Sequence, residues 1–187
     1  MSIRILLADD HEIVRQGLRA LLEQKGYQVV GEAANGHDAL KLAAKTKPDV
    51  AVFDLTMPLL NGLDATHEMA SLLPKTPVIL LTMHSEEQYA RRAFKAGAAG
   101  FITKDSPRAE LSKAIHKVMD GGKYLSPALA EKLIVDLERG DDRTPDQTLS
   151  DREFQVMRLI ASGKTLSEIA DLLSLSDKTI SETLFGG

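Results

Sequence analysis

Over the first 120 residues, short apolar runs alternate with stretches in which apolar residues return every three or four positions. The runs are residues 4–8, 27–33, 50–58, 77–81 and 100–102, bounded by Gly, Pro, Asn or Asp, the pattern of buried strands. Between them, Ile13, Val14, Leu18, Leu21 and Leu22 form one helical stripe that stops at Gly26. Ala39, Leu40, Leu42 and Ala43 form a second, closed off before Pro48. Asn61-Gly62 opens a third helix that Pro74 ends, Ser85-Glu86-Glu87-Gln88 is a capping box for a fourth ending near Gly97, and Ser106-Pro107 starts a fifth. Five strand-helix repeats predict an α/β fold, a right-handed, doubly wound five-stranded parallel sheet with helices on both faces.

The pattern changes after Gly121-Gly122. Residues 121–148 are expected to form a linker, with one helix from Pro127 to Leu137 that aligns Leu129, Leu133, Ile134 and Leu137, followed by a polar tether. Residues 149–187 then predict a small all-α unit. Ser150-Asp151-Arg152-Glu153 caps one helix through Phe154, Val156, Met157, Leu159 and Ile160, which Gly163 ends; Thr165-Leu166-Ser167-Glu168 caps the next. A short connection, Ser174-Leu175-Ser176, leads into a last helical stretch from Asp177 to Leu184. The expected division is therefore 1–120, a linker over 121–148, and 149–187. The second unit is either a helical interaction hairpin or a helix-turn-helix.

Composition narrows the classes. With 187 residues there is room for a full domain and a smaller one, and 43% hydrophobic content suits a globular protein. No apolar run approaches the roughly 18 residues a membrane span needs, and the N-terminus enters a strand without a signal-peptide pattern, so no membrane association and a cytoplasmic location are expected. The absence of cysteine excludes disulfides, thiol nucleophiles and cysteine-ligated metals. His11, His37, His67, His84 and His116 lack ligand spacing and are expected to be solvated or capping residues. Net charge is −4, and no segment is basic: residues 149–187 hold four basic and six acidic side chains. Charge alone therefore gives no argument for nucleic-acid binding.

The candidate chemistry gathers at strand ends. The apolar run 50–58 delivers Asp54, and the first strand runs straight into Asp9-Asp10. In a parallel sheet the ligand crevice lies at the carboxyl ends of the strands, so these three acids can converge if their strands are neighbours. Three such carboxylates repel one another and call for a hard divalent cation held by oxygens and water, Mg²⁺ being the natural choice. Thr82 and Lys104 close the fourth and fifth strands and add a hydroxyl and a fixed cation. Singly, Asp54 could cap a helix, Thr82 could be an ordinary strand residue and Lys104 a solvated cation. Their joint placement at one sheet edge makes a site for phosphorylating a carboxylate.

At these residues the chain resembles the receiver domain of two-component response regulators, a flavodoxin-like fold. The resemblance rests on Asp9-Asp10, on Asp54 in an Asp-x-x-Met-Pro-x-x-x-Gly pattern ending at Gly62, on Thr82, and on Lys104 in Gly-Phe-Ile-Thr-Lys. It implies that Asp54 accepts a phosphoryl group, that Asp10, Asp54 and the Thr56 carbonyl bind Mg²⁺, and that Asp9 supports the metal through water. It also implies that Thr82 and the aromatic Phe101 form the switch. Leu149-Ser150-x-Arg152-Glu153, Ile160-Ala161-x-Gly163, Glu168-Ile169-Ala170 and Ser176-x-Lys178-Thr179-Ile180 resemble the LuxR-type DNA-binding domain, so the chain as a whole is similar to NarL/FixJ response regulators. That likeness assigns DNA contacts to Lys178, Thr179 and Ser181, a sensor histidine kinase as partner, and homodimerisation on phosphorylation.

One departure changes the expectation. The family's reading helix continues with basic and polar residues past the position of Ser181 and is followed by a fourth helix, whereas here Glu182-Thr183-Leu184-Phe185-Gly186-Gly187 closes the sequence. An incomplete DNA-binding unit is therefore expected, with weak DNA binding. The leading function is a phosphorylation-controlled transcription regulator; the alternative is a receiver acting through protein contacts or as a phosphate sink. The chain is not expected to be an enzyme on external substrates, because a phosphohydrolase would need a further acid to protonate the leaving group.

Overall fold

The computed structural model describes residues 1–83, 87–106, 108–127, 129–131, 156, 159 and 163–173. Six strands, β1 (Arg4–Ala8), β2 (Gln28–Ala33), β3 (Val50–Asp54), β4 (Val78–Thr82), β5 (Gly100–Thr103) and β6 (Tyr124–Leu125), form one sheet of order β2-β1-β3-β4-β5-β6, with every pair parallel. Helices α1 (Glu12–Gln24), α2 (Gly36–Thr46), α3 (Gly62–Leu72), α4 (Glu87–Lys95) and α5 (Arg108–Met119) connect them, and α6 (Leu166–Leu173) follows in the C-terminal segment. The parallel α/β fold is the expected one. The sheet has six strands where five were expected: β6 lies in the stretch read as the linker, its two residues being too few to show alternation. Among the described residues no helix is long and apolar enough to cross a membrane.

Strand alternation divides the core in two. Ile5, Leu7, Val50, Val52, Ile79, Leu81 and Ile102 point to one face, where Leu22 of α1 and Leu111, Ile115 and Val118 of α5 cover them. Leu6, Ala8, Ala51, Phe53, Leu80 and Phe101 point to the other, against Ala39, Leu63, Met69 and Ala90 from α2, α3 and α4. Both faces of β3 are buried, which is why its sequence is apolar throughout and why its one acid stands at the end.

Outside the sheet, Leu129 packs into the second of these clusters, and Pro127 with residues 129–131 is helical, as expected for the start of the linker helix. Leu133, Ile134 and Leu137 lie outside the described residues, as do residues 85 and 86 of the capping box expected before α4. In the C-terminal unit, the capping box at α6 is formed as expected: Glu168 N–H donates to Thr165 Oγ1 at 3.2 Å and Thr165 N–H to Glu168 Oε2 at 2.7 Å. Val156, Ile169, Ala170 and Leu173 make a small core there. The capping residues 150–153 lie outside the described residues.

The loop from β3 to α3 is wedged in place by backbone. Gly62 N–H donates to Leu55 O at 2.9 Å, and a Cβ at Gly62 would stand 2.2 Å from Asp54 O. Asn61 caps α3 by accepting from Asp64 N–H at 2.8 Å. The glycine closing the Asp54 pattern is thus demanded by close approach to the peptide of Asp54 itself. Gly62→Ala is expected to push the loop off β3 and to cost about 1 to 3 kcal/mol, measured by urea denaturation; a parental midpoint would show that the loop absorbs a methyl group.

Candidate functional site

The strand order reverses between β1 and β3, and this is where the acids meet. Ala8 pairs with Phe53, so the next residues, Asp9 and Asp54, leave adjacent strands side by side. On the other flank Asp54 pairs with Leu81 and Thr82 with Thr103, which brings the Thr82 end of β4 and Lys104 to the same edge. One oxygen from each of Asp9, Asp10 and Asp54, with a nitrogen of His11, all lie within 4.8 Å of one another.

Lys104 spans the cluster. Its Nζ donates to Asp9 Oδ2 at 2.7 Å and lies 3.2 Å from Asp54 Oδ1, while its N–H donates to Thr82 O at 2.6 Å. Asp9 and Asp54 are buried and Asp10 is exposed. Burial, and then the charge of Asp9, push the Asp54 carboxyl up to about 7 from an ordinary 3.8, against the pull of Lys104. The Lys104 ammonium is raised as well: burial opposes its charge, and Asp54 and Asp9 together outweigh that. Two anionic neighbours therefore share one built-in cation. The three carboxylates of this cluster, short of positive charge, fit a hard divalent ion, so the residues present suit the metal that the resemblance implies.

The remaining expected residues fall as follows. Thr82 ends β4 and is buried; Thr56 sits half-buried in the loop two residues past Asp54. Phe101 is fully buried in the α2/α3/α4 cluster, with Leu80 on one side of its strand and Leu125 on the other. Lys178, Thr179 and Ser181 lie outside the described residues. Two participants were missed by sequence reasoning. His11, expected to be solvated or capping, is exposed and forms no side-chain cap of α1, but its Nδ1 also lies 3.1 Å from Asp10 Oδ1 and 3.4 Å from Asp9 Oδ1. Its adjacency to Asp9-Asp10 was the available signal. The other is Arg15, whose Nη1 donates to the Asp9 carbonyl at 2.6 Å.

The raised carboxyl has a consequence for stability. Folded Asp54 holds its proton more tightly than the unfolded chain does, so the stability tied to the protonated form is complete below the ordinary 3.8 and is lost as pH rises through about 7. In metal-free buffer Asp54→Asn is therefore expected to match the parent near pH 4 and to exceed it by on the order of 2 kcal/mol near pH 8, measured by chemical denaturation. Equal stability of the two at the higher pH would mean that Lys104 already neutralises the pocket.

Comparison with known proteins places this geometry. The profile described as "Response regulator receiver domain" matches residues 5–116, and that described as "Bacterial regulatory proteins, luxR family" matches residues 147–182. The response regulator UvrY of Escherichia coli K12 is 38% identical over 180 residues, 95% of this chain and 83% of UvrY. A two-component response regulator of the LuxR family from Aurantimonas sp. is 40% identical with a TM-score of 0.70, covering 73% of this chain and 98% of that one. RcsB of Salmonella enterica serovar Typhimurium, solved bound to a promoter with a phosphomimetic, is 29% identical with a TM-score of 0.67, covering 98% and 89%. The receiver match spans the whole acid site and more than half of the sequence, and the LuxR-type match follows it. This chain belongs to the response-regulator family, a receiver domain followed by a LuxR-type DNA-binding segment.

Proposed function

We propose that this chain is phosphorylated on Asp54 by a sensor histidine kinase and that the acyl phosphate controls DNA binding and transcription. The observation that carries the reading is the convergence of Asp9, Asp10 and Asp54 at the β1/β3 switch point with Lys104 across Asp9 and Asp54. An Asp54 oxygen attacks the phosphorus of a phosphohistidine; the new P–O bond forms as the P–N bond breaks, and the kinase imidazole leaves with the electron pair. Lys104, already 3.2 Å from Asp54, is placed to pair with an oxygen of the transferred group. Asp10, Asp54 and the Thr56 carbonyl would hold Mg²⁺, with Asp9 acting through water. The ion supplies the positive charge that lets a dianion approach a carboxylate.

The signal then passes by packing. The Thr82 hydroxyl turns toward the phosphoryl group, and Phe101, which has no hydroxyl of its own, follows into the space released. The output is DNA binding through Lys178, Thr179 and Ser181, aided by homodimerisation, in the cytoplasm. RcsB supports that assignment, since it was solved on a promoter in the presence of a phosphomimetic. The chemistry is performed on the chain's own carboxylate, not on an external substrate.

The test is incubation with a small acyl-phosphate donor and Mg²⁺, read by intact mass and by sedimentation. The parent is expected to gain one phosphoryl group and to change its oligomeric state. Asp54→Asn should gain none, and Thr82→Ala should be phosphorylated yet keep the unphosphorylated oligomeric state. Full labelling of Asp54→Asn would move the acceptor elsewhere, and a normal oligomeric change in Thr82→Ala would dismiss the hydroxyl as the trigger.

A further inference from the structure

A cation site built from mutually repelling acids needs something to hold the turn that presents them. Asp9 is anchored on three sides within and beside its strand. Its N–H donates to Ala33 O at 3.0 Å, and its carboxylate accepts from His11 N–H at 2.8 Å and from Lys104. Its carbonyl is held from α1, by the 2.6 Å bond from Arg15 Nη1. That carbonyl belongs to the planar peptide leading into Asp10, so fixing it fixes the plane from which Asp10 projects. Asp10 itself is exposed.

The guanidinium is held from behind. Arg15 Nε faces Glu32 Oε1 of β2 at 3.5 Å, and Glu32 accepts from Arg19 Nη1 at 2.6 Å. Arg15 Nε is buried and makes no hydrogen bond, a desolvation cost that a freely placed side chain would relieve by turning to water. A planar fork can press one edge on a carbonyl while its other edge faces a carboxylate, which an ammonium cannot do. We propose that Arg15 is a positioning residue for the divalent-cation site: by clamping the Asp9 carbonyl, with Glu32 as its backstop, it sets Asp9 and Asp10 where they converge on Asp54. The inference rests on reading these acids as the cation site.

The sign of the effect separates a clamp from a mere charge. Arg15 is a cation beside a cation site, so if only its charge counted, removing it would tighten metal binding. As a clamp, its removal loosens binding. The experiment titrates the full chain with Mn²⁺, read by electron paramagnetic resonance, alongside thermal unfolding in chelator. Losing an outer-shell partner of a metal ligand commonly weakens binding tenfold or more, and for Arg15→Met, one step further out, the dissociation constant is expected to rise about fivefold to tenfold. Arg15→Lys should recover part of that loss and Glu32→Gln should weaken binding less than Arg15→Met. The Mg²⁺ needed for half-maximal phosphorylation should rise by a similar factor in Arg15→Met, with the rate at saturation within about twofold of the parent, since Asp54 and Lys104 remain.

A lower melting temperature with an unchanged or smaller dissociation constant would make Arg15 a structural residue only and overturn the proposal. Should Arg15→Met not fold, Arg15→Lys and Glu32→Gln carry the comparison, and parental binding in both overturns it equally. Asp10→Ala distinguishes the two levels of failure. If it abolishes binding while the Arg15 variants bind as the parent, the clamp alone is wrong; if parental binding survives Asp10→Ala, the cation sits elsewhere and both readings fall.

Discussion

The structure turns on the repulsion among three carboxylates brought together at the point where the strand order reverses. At separations under 5 Å, and with an effective dielectric near 20, each ionised pair costs roughly 3 kcal/mol. One ammonium, from Lys104, lies across the buried pair Asp9 and Asp54, and the Asp54 carboxyl, desolvated by burial first and facing Asp9 second, still rises to about 7. A pocket left short of positive charge in this way is poised for a divalent ion. The price is paid by a sheet apolar enough to tolerate it: both flanking strands, β1 and β3, are buried along nearly their whole length, so the cluster is carried by packing and not by its own contacts.

That dependence explains why the site was legible from sequence. Buried strands show as apolar runs, and an acid at the end of such a run stands out because nothing else in the run is polar. Asp9, Asp10, Asp54, Thr82 and Lys104 were each identified by position at a strand end, and the register then brings their strands side by side. Gly62 was visible only as a letter in a pattern; the 2.2 Å approach to Asp54 O supplies its reason. What stayed hidden were contacts that leave no signature in residue type. Arg15 sits on an amphipathic helix where a solvated cation is the ordinary expectation, and its partner is a backbone carbonyl, which every residue carries. Strand β6 is two residues long and follows two glycines, so neither alternation nor propensity could announce it.

Strand β6 also changes what lies beyond Phe101. Phe101 pairs in register with Leu125, and Leu129, a few residues on, belongs to the same buried cluster as Phe101. A close-packed interior does not let a ring of that size change its seat without moving its neighbours. Displacement of Phe101 is therefore felt at once by the segment that leads out of the receiver.

A separate contact joins the loop that follows Asp54 to the C-terminal unit. Leu59, three residues before the start of α3 at Gly62, holds a left-handed backbone at φ 66, a conformation a branched side chain adopts at some cost. Its N–H donates to Leu173 O, the last residue of α6, at 3.2 Å. The same loop carries Thr56 and starts at the peptide of Asp54. The C-terminal unit thus meets the receiver at a left-handed loop residue through a backbone hydrogen bond, whereas Leu125 and Leu129, which pack with Phe101, belong to the segment between the two. A lone backbone hydrogen bond contributes only about 1 kcal/mol, less than the burial of a leucine such as Leu129 in the receiver core.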